Sequence, residues 1–189
     1  TTSQQNQSNV NLDSTGIDDQ HGTIGVPFHL SVSQNYRQQT GFTNSIASES
    51  ISYDQITSLA QFAEVVKYDV AGSEFNNNYR GKHNFLRSDV LIFDVDNDGQ
   101  DHNYWDNQDN WLTMAKFEQI FADYEWLIAT SFSHQKEKNG RQPRDKFHVF
   151  MPLGSFVDRI EEYEKLLRGI QVYVGRDYDQ LPIDTAVGG

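Results

Sequence analysis

Short apolar runs alternate with helix-spaced apolar positions along the chain, and together they predict a domain of mixed α and β structure. Four runs are rich in β-branched or aromatic residues, which favours strands; they lie at 25–33, 90–95, 126–132 and 147–153. Val172 and Val174 predict one more short strand. We therefore expect an α+β fold, with a mixed or antiparallel central sheet flanked by helices.

Apolar residues three and four positions apart predict three helices. Ser52 and Gln55 have the form of a capping box, so the first helix is predicted over 53–67. The second is outlined by Met114, Phe117, Ile120, Phe121 and Tyr124. The third is outlined by Val157, Ile160, Leu166, Leu167 and Ile170, after the candidate caps Ser155 and Asp158.

Polar segments lie before and between these elements. Residues 1–24 are rich in Gln, Asn, Ser and Asp without apolar periodicity, so we expect a disordered or weakly tethered arm. Segments 72–87 and 97–110 are predicted to be polar connections. The length of 189 residues suits one domain, which we expect to span 25–189. Because the chain starts without Met, we expect it to be part of a longer protein.

Composition and charge narrow the classes of function. The net charge of −12 argues against broad nonspecific binding to nucleic acid. The chain has no Cys, which excludes disulfides and Cys-based zinc sites, and no run of the ~20 apolar residues that a membrane span needs. One stretch is nevertheless basic, and a solvated loop is its simplest interpretation. Its basic residues are Lys136, Lys138, Arg141, Arg144 and Lys146.

The strand predicted at 90–95 leads directly into acidic residues. Because side chains alternate along a strand, Asp94 and Asp96 face one side, and Phe93 and Val95 face the other. Two carboxylates that project together from a buried strand repel each other, and a cation relieves the repulsion. Hard oxygen donors favour Mg²⁺, Mn²⁺ or Ca²⁺. The sequence therefore predicts a divalent-metal site at Asp94 and Asp96.

Three other interpretations of this segment stay open. The spacing of Asp94, Asp96, Asp98 and Gly99 matches the start of an EF-hand loop, which would make a structural calcium site in a non-enzymatic binding domain. Against it, the twelfth position is Trp105 instead of Glu, and a strand precedes the loop. A phosphatase of the haloacid-dehalogenase type would use Asp94 as the nucleophile and Asp96 as the acid. A solvated turn is the plainest alternative.

The strands predicted at 126–132 and 147–153 flank the basic stretch and form a hairpin-like pair. On the second strand, His148 and Phe150 share one face. A His within an apolar strand needs a polar partner, and most often it serves only the structure. Beside a carboxylate metal site and several Arg and Lys side chains, a phosphate group is a chemically suitable partner. His134 has a weaker case, because it lies in the loop.

Three segments, taken in order, resemble the archaeo-eukaryotic primase superfamily, in the primase-polymerase branch found on phages, plasmids and other mobile elements. They are a hydrophobic-Asp-x-Asp motif at 93–96, a strand-turn-strand segment carrying His at 130–149, and a hydrophobic-Asp pair at 183–184. The resemblance covers 85–185.

The resemblance implies an RRM-like catalytic core that performs template-directed nucleotidyl transfer, as a DNA primase or DNA polymerase. It implies a two-metal site for Mg²⁺ or Mn²⁺, whose catalytic ligands are Asp94, Asp96 and Asp184. His148 would contact the phosphates of the incoming nucleotide, and His134 is the runner-up for this role. Arg144 and Lys146 would lie on the phosphate side, by position and charge.

The same resemblance implies the partners. They are nucleoside triphosphates, a DNA template and primer, and a helicase or accessory domain outside this chain, with no membrane. The setting would be the replication of a mobile element or phage, in the cytoplasm of a prokaryotic cell or an infected host.

Overall fold

The computed structural model of the protein describes residues 23–36, 51–137 and 140–185. Its strands are β1 (Thr23–Tyr36), β2 (Ile51–Ser58), β3 (Tyr68–Ala71), β4 (Ser73–Phe75), β5 (Phe85–Val95), β6 (Leu127–Thr130), β7 (Phe147–Val157) and β8 (Ile183–Asp184). Its helices are α1 (Leu59–Val65), α2 (His102–Trp105), α3 (Met114–Ile120) and α4 (Ile160–Gly175). Residues 1–22 of the predicted arm lie outside the described residues, and so does Lys138.

All described strand pairs are antiparallel and form two sheets. The smaller sheet has the order β2-β1-β3, and the larger has the order β4-β5-β7-β6, with β8 paired to β5. Since β7 occupies one edge of β5, β4 and β8 share the other edge at its opposite ends. The predicted α+β class with an antiparallel sheet and flanking helices is therefore confirmed.

The two faces of β5 belong to two different cores, because its side chains alternate. Phe93 and Val95 are buried in a core shared with α3 and α4. On the opposite face, Val90 is buried in a core with β1, β2 and α1. Phe62 in α1 contacts Phe150 in β7 edge to face, with 5.0 Å between the ring centroids. This contact packs the second core against the larger sheet.

The smaller sheet leaves one end of that second face open. Val90 and Ile92 pack against it, but the next residue on the face, Asp94, has 42% of its side chain exposed. Its neighbour on β7, His148, is 27% exposed. The end of β5 that carries the acidic residues is therefore polar and accessible to solvent.

The first helix begins later than the sequence predicted. Residues up to Ser58 form β2, which pairs with β1, and the helix starts only after Ser58. The Ser58 hydroxyl accepts a hydrogen bond from the Gln61 amide at 3.2 Å. Ser58 and Gln61 have the same capping-box spacing as Ser52 and Gln55, so strand pairing decided between two equivalent sequence signals. The start of the predicted helix at 53–67 was wrong.

The last helix is longer than predicted and absorbs a predicted strand. Val172 and Val174 lie within α4, and Val174 is fully buried in the core. The N-cap of α4 is Arg159, without a side-chain capping bond, so Ser155 and Asp158 are not its caps. Both sequence predictions were wrong. The helix continues through Val172, which is exposed, to Val174, which packs in the core.

The two predicted polar connections contain regular structure. Segment 72–87 includes β4 and the start of β5, joined by an ion pair of 2.6 Å between Arg87 Nε and Glu74 Oε2. Segment 97–110 contains α2 and a short 3₁₀ turn, Gln108–Asn110. Within the part of the chain that the structure describes, no helix has the length and apolar character needed to cross a membrane.

Candidate functional site

Asp94 lies directly opposite a polar residue on each neighbouring strand. Its partner on β7 is His148, and its partner on β8 is Asp184. Side chains directly opposite each other on antiparallel strands project from the same face. The row Asp184, Asp94 and His148 therefore lies on the open face, and it brings together three predicted site residues from distant parts of the sequence.

The His148 ring is oriented by Asp94. Its Nδ1 lies 2.5 Å from Asp94 Oδ1. Because an ionised carboxylate only accepts hydrogen bonds, Nδ1 carries the proton in this contact. The carboxylate thus fixes the rotation of the imidazole.

Arg80 is a further positive charge near Asp94. Burial lowers the pKa of its guanidinium, while the negative charges of Asp94 and Asp69 act in the opposite direction. Arginine keeps its proton throughout the ordinary pH range, so Arg80 adds a positive charge to this end of the site. Arg80 was not predicted as a site residue from the sequence, because it lies in a segment expected to be a polar connection.

Lys146 joins the two carboxylates that follow β5. Its Nζ lies 3.3 Å from Asp96 Oδ1 and 3.4 Å from Asp98 Oδ2. Lys146 lies immediately before β7, two residues before His148. In this arrangement a lysine ammonium supplies the charge that relieves the repulsion between the carboxylates.

Arg144 is built into the support of the acidic loop. Its side chain is only 2% exposed. Nη1 donates to the carbonyl oxygen of Asn97 at 2.8 Å, and Nη2 lies 3.3 Å from Asp106 Oδ1. The guanidinium also lies 5.5 Å from the ring centre of Trp111. These contacts tie the basic stretch to the loop that carries the acidic residues.

Asn97 fastens the acidic turn from the inside. It is fully buried, and its φ of 49° is a left-handed conformation that Asn tolerates better than most residues. The amide donates to the carbonyl oxygens of Leu112 and Asp145, at 3.1 and 2.8 Å, and its oxygen accepts from the Leu112 amide at 2.8 Å. This supporting role of Asn97 was not predicted from the sequence, where only its position directly after Asp-x-Asp could have indicated it.

His134 lies beside the same strand but makes a backbone contact. Its Nδ1 accepts a hydrogen bond from the Lys146 amide at 3.2 Å. An accepting Nδ1 requires a neutral ring with its proton on Nε2. His134 therefore links the turn after β6 to the start of β7, beside the predicted phosphate-side residues.

Two clefts adjoin at these residues. The basic cleft has a volume of about 280 Å³ and is lined by Asp98, His102, Lys136, Arg141, Gln142, Arg144 and Lys146. The acidic cleft has a volume of about 510 Å³ and is lined by Asp96, Asp98, Gly99, Arg141, Leu181, Pro182, Ile183 and Asp184. They share Asp98 and Arg141, which form an ion pair. Arg141 Nη2 also lies 2.9 Å from His102 Nε2.

The predicted metal ligands fit a hard divalent cation by chemistry. Asp94, Asp96 and Asp184 are oxygen donors at one end of the sheet, the donor type that Mg²⁺ and Mn²⁺ prefer. Their present contacts are with side chains: Asp94 pairs with His148, and Asp96 with Lys146. Across residues 23–36, 51–137 and 140–185, no group of three or more His, Asp or Glu is gathered closely enough to hold a metal ion. The two-metal site stays a prediction.

We compared the chain with models of known protein families, with curated proteins and with solved structures, and none of them matches. Function is therefore inferred from the geometry and chemistry of the site itself.

Proposed function

We propose that this chain is the catalytic core of a DNA primase-polymerase, which adds nucleotides to a primer end or a first nucleotide under the direction of a DNA template. The observation that supports this most strongly is the row of Asp184, Asp94 and His148 across three adjacent strands. The primase resemblance requires these residues to act on one bound nucleotide, and side chains in one row on an open face can do so.

The reaction joins a hydroxyl oxygen to the α-phosphorus of a nucleoside triphosphate, and the bond to the β-phosphate breaks to release pyrophosphate. The protein contributes position and charge, and little covalent chemistry is required of it. His148, oriented by Asp94, would hold phosphate oxygens of the incoming nucleotide. Lys146 would supply a second positive charge, with Arg144 behind it in the basic cleft.

Asp94, Asp96 and Asp184 would hold Mg²⁺ or Mn²⁺. Such ions supply Lewis-acid chemistry, because they favour ionisation of the attacking hydroxyl and offset the charge of the departing pyrophosphate. The RRM-like core, the nucleotide and DNA partners, and a helicase or accessory domain as a further partner are part of the same proposal. A template must reach this end of the sheet despite the net charge of −12, and the basic stretch beside the site favours its approach there.

A structural calcium site is the second class of function. Asp94, Asp96, Asp98 and Gly99 have the required spacing, but the twelfth residue, Trp105, is buried. Calorimetry separates the two classes: tight calcium binding without nucleotide favours the binding module, whereas nucleoside triphosphate binding that depends on Mn²⁺ or Mg²⁺ favours the polymerase. Release of phosphate from small phosphoesters would indicate the phosphatase alternative.

The proposed function is tested by primer-extension and de novo synthesis assays with labelled nucleotides, each run with Mn²⁺ and with Mg²⁺. We expect labelled product that depends on template, protein and metal ion. No product with either metal, on primed and unprimed templates and with both ribonucleotides and deoxynucleotides, would contradict the proposal.

A further inference from the structure

We propose that Arg141 and Lys146 bind the phosphate chain of a nucleoside triphosphate in the basic cleft, and that a divalent cation makes them available by replacing them on Asp96 and Asp98. The inference rests on the proposed function and deepens it. It names the phosphate-binding residues, and it predicts that metal ion and triphosphate bind cooperatively.

The composition of the basic cleft points to a polyanion. Four cationic side chains line it against the single carboxylate of Asp98: Lys136, Arg141, Arg144 and Lys146. Its volume of about 280 Å³ lies just below the range of about 300–1,000 Å³ typical of sites for whole small molecules. The cleft therefore suits a phosphate chain better than a complete nucleotide.

Lys146 and Arg141 are held by contacts that another cation can take over. Lys146 lies between Asp96 and Asp98, whose side chains are 52% and 32% exposed. Arg141 pairs with Asp98 at the boundary of the two clefts. Water reaches these carboxylates and screens their ion pairs, although the Lys146 and Arg141 side chains are themselves only 10% and 20% exposed. A divalent cation on the same oxygens offers twice the charge and displaces the side chains.

Arg144 differs from these two residues, although it lines the same cleft. Its guanidinium donates to the backbone carbonyl oxygens of Asn97, at 2.8 Å, and Gln142, at 3.4 Å, and it lies near the Trp111 ring. Leaving these contacts would leave the buried Asn97 carbonyl group without this donor. We therefore assign Arg144 as a positioning residue for the acidic loop, and the mobile phosphate contacts to Arg141 and Lys146.

The arrangement couples the two ligands. A metal ion alone must compete with Lys146 for Asp96, and a phosphate chain alone must compete with the carboxylates for Lys146 and Arg141. When both ligands bind, each takes the partners that the other releases. Coupling is reciprocal, so metal ion and phosphate chain raise each other's affinity by the same factor, of order 5–150-fold for typical coupled sites.

Binding measurements on the whole chain test this directly. Mn²⁺ alone is titrated by electron paramagnetic resonance, and inorganic tripolyphosphate alone is titrated by calorimetry in the presence of a chelator. For Lys146→Met we expect Mn²⁺ to bind at least about fivefold more tightly than to wild type. Tripolyphosphate should bind about tenfold or more weakly, since a charge-assisted contact is lost. The control Lys165→Met removes the same charge from the exposed face of α4, and both affinities should stay at wild-type values.

A second variant acts in the opposite direction. Asp98→Asn removes the charge that holds Arg141, so tripolyphosphate without metal should bind several-fold more tightly than to wild type. The inference is overturned if both variants, Lys146→Met and Asp98→Asn, bind Mn²⁺ and tripolyphosphate within twofold of wild type. If the binding changes occur but no nucleotide is incorporated, the phosphate site stands and the primase-polymerase proposal fails. If nucleotide is incorporated but the binding affinities do not change, the primase-polymerase proposal stands and the phosphate site fails.

Discussion

At the residue scale, the contact between Asp94 and His148 needs no loop to form it. The two residues are register partners on β5 and β7, so the sheet itself brings the carboxylate to the imidazole. Alternation along each strand was readable from the sequence, and the burial of Phe93, Val95, Phe147 and Val149 agrees with it. Which residue of β7 faces Asp94 depends on the register between the strands, and that is set by long-range packing.

The supporting residues were harder to predict than the residues they support. Asn97 and Arg144 bind backbone atoms contributed by distant segments of the chain. A single polar side chain carries no sequence signal for such contacts, because its partners are carbonyl and amide groups that every residue possesses.

Asn97→Ala should destabilise the fold. The substitution leaves the Leu112 amide and two carbonyl groups without their partner, and it puts Ala into a left-handed conformation. We expect a loss of about 2–4 kcal/mol in the free energy of unfolding, measured by urea denaturation. The control Asn107→Ala removes the exposed N-cap of the 3₁₀ turn Gln108–Asn110. It should lower the free energy of unfolding by under about 1 kcal/mol. Equal stability of Asn97→Ala and wild type would contradict the role of Asn97.

At the element scale, strands with a long apolar run were easier to predict than helix limits. β5 and β7 appeared in the sequence as apolar runs, although each is longer in the structure than the run that predicted it. The start of α1 and the end of α4 were mispredicted, because tertiary packing chose between equally good local signals. β3, β4 and β8 are short edge segments, defined by their pairing more than by their own composition.

Gly99→Ala should disturb the docking of the acidic loop on α2. A Cβ atom at Gly99 would lie 2.3 Å from Trp105 Nε1, inside the contact limit. We expect a loss of about 1–3 kcal/mol in unfolding free energy, and a change in tryptophan fluorescence. The matched control is Gly169→Ala in α4, where a Cβ meets nothing within 4 Å; it should stabilise the protein by about 0.4–1 kcal/mol. A Gly99→Ala protein as stable as the control would refute this packing.

At the scale of the whole molecule, both cores depend on the larger sheet. Neighbouring residues of β7, Phe150 and Met151, belong to different cores. Disruption of β5 or β7 would remove one wall of both cores, because each core packs on one face of these strands. The described elements are therefore expected to unfold as one cooperative unit.

Phe62→Ala tests this cooperativity. The ring is fully buried between Phe28 and Phe150, so its removal should cost about 3–5 kcal/mol. Calorimetry should show one transition at a lower temperature, without a separate transition of the core beside α3 and α4. Val172→Ala, at an exposed position of α4, is the control and should leave the transition nearly unchanged. Two separated transitions would show that the cores unfold independently.

The class of the fold could be predicted from the sequence, and so could Asp94, His148 and Asp184 as candidate site residues. The arrangement of the charges around them could not be predicted. Pairing of Lys146 with Asp96 and of Arg141 with Asp98 joins two loops that are far apart in the chain. Such pairs follow from where β5 ends and where β7 begins. The same placement makes the acidic end of the sheet the one region where carboxylates, His148 and the basic cleft adjoin.

The most direct test of the central claim is template-directed nucleotide incorporation by the double variant Asp94→Ala, Asp96→Ala. The account predicts that incorporation falls to background while the free energy of unfolding drops by about 2 kcal/mol or less, because only partly exposed ion pairs are lost. The control Asp109→Ala, Asp123→Ala removes two exposed carboxylates elsewhere and should incorporate nucleotides at the wild-type rate. Full activity in the Asp94→Ala, Asp96→Ala protein would contradict the assignment of these carboxylates as the catalytic centre.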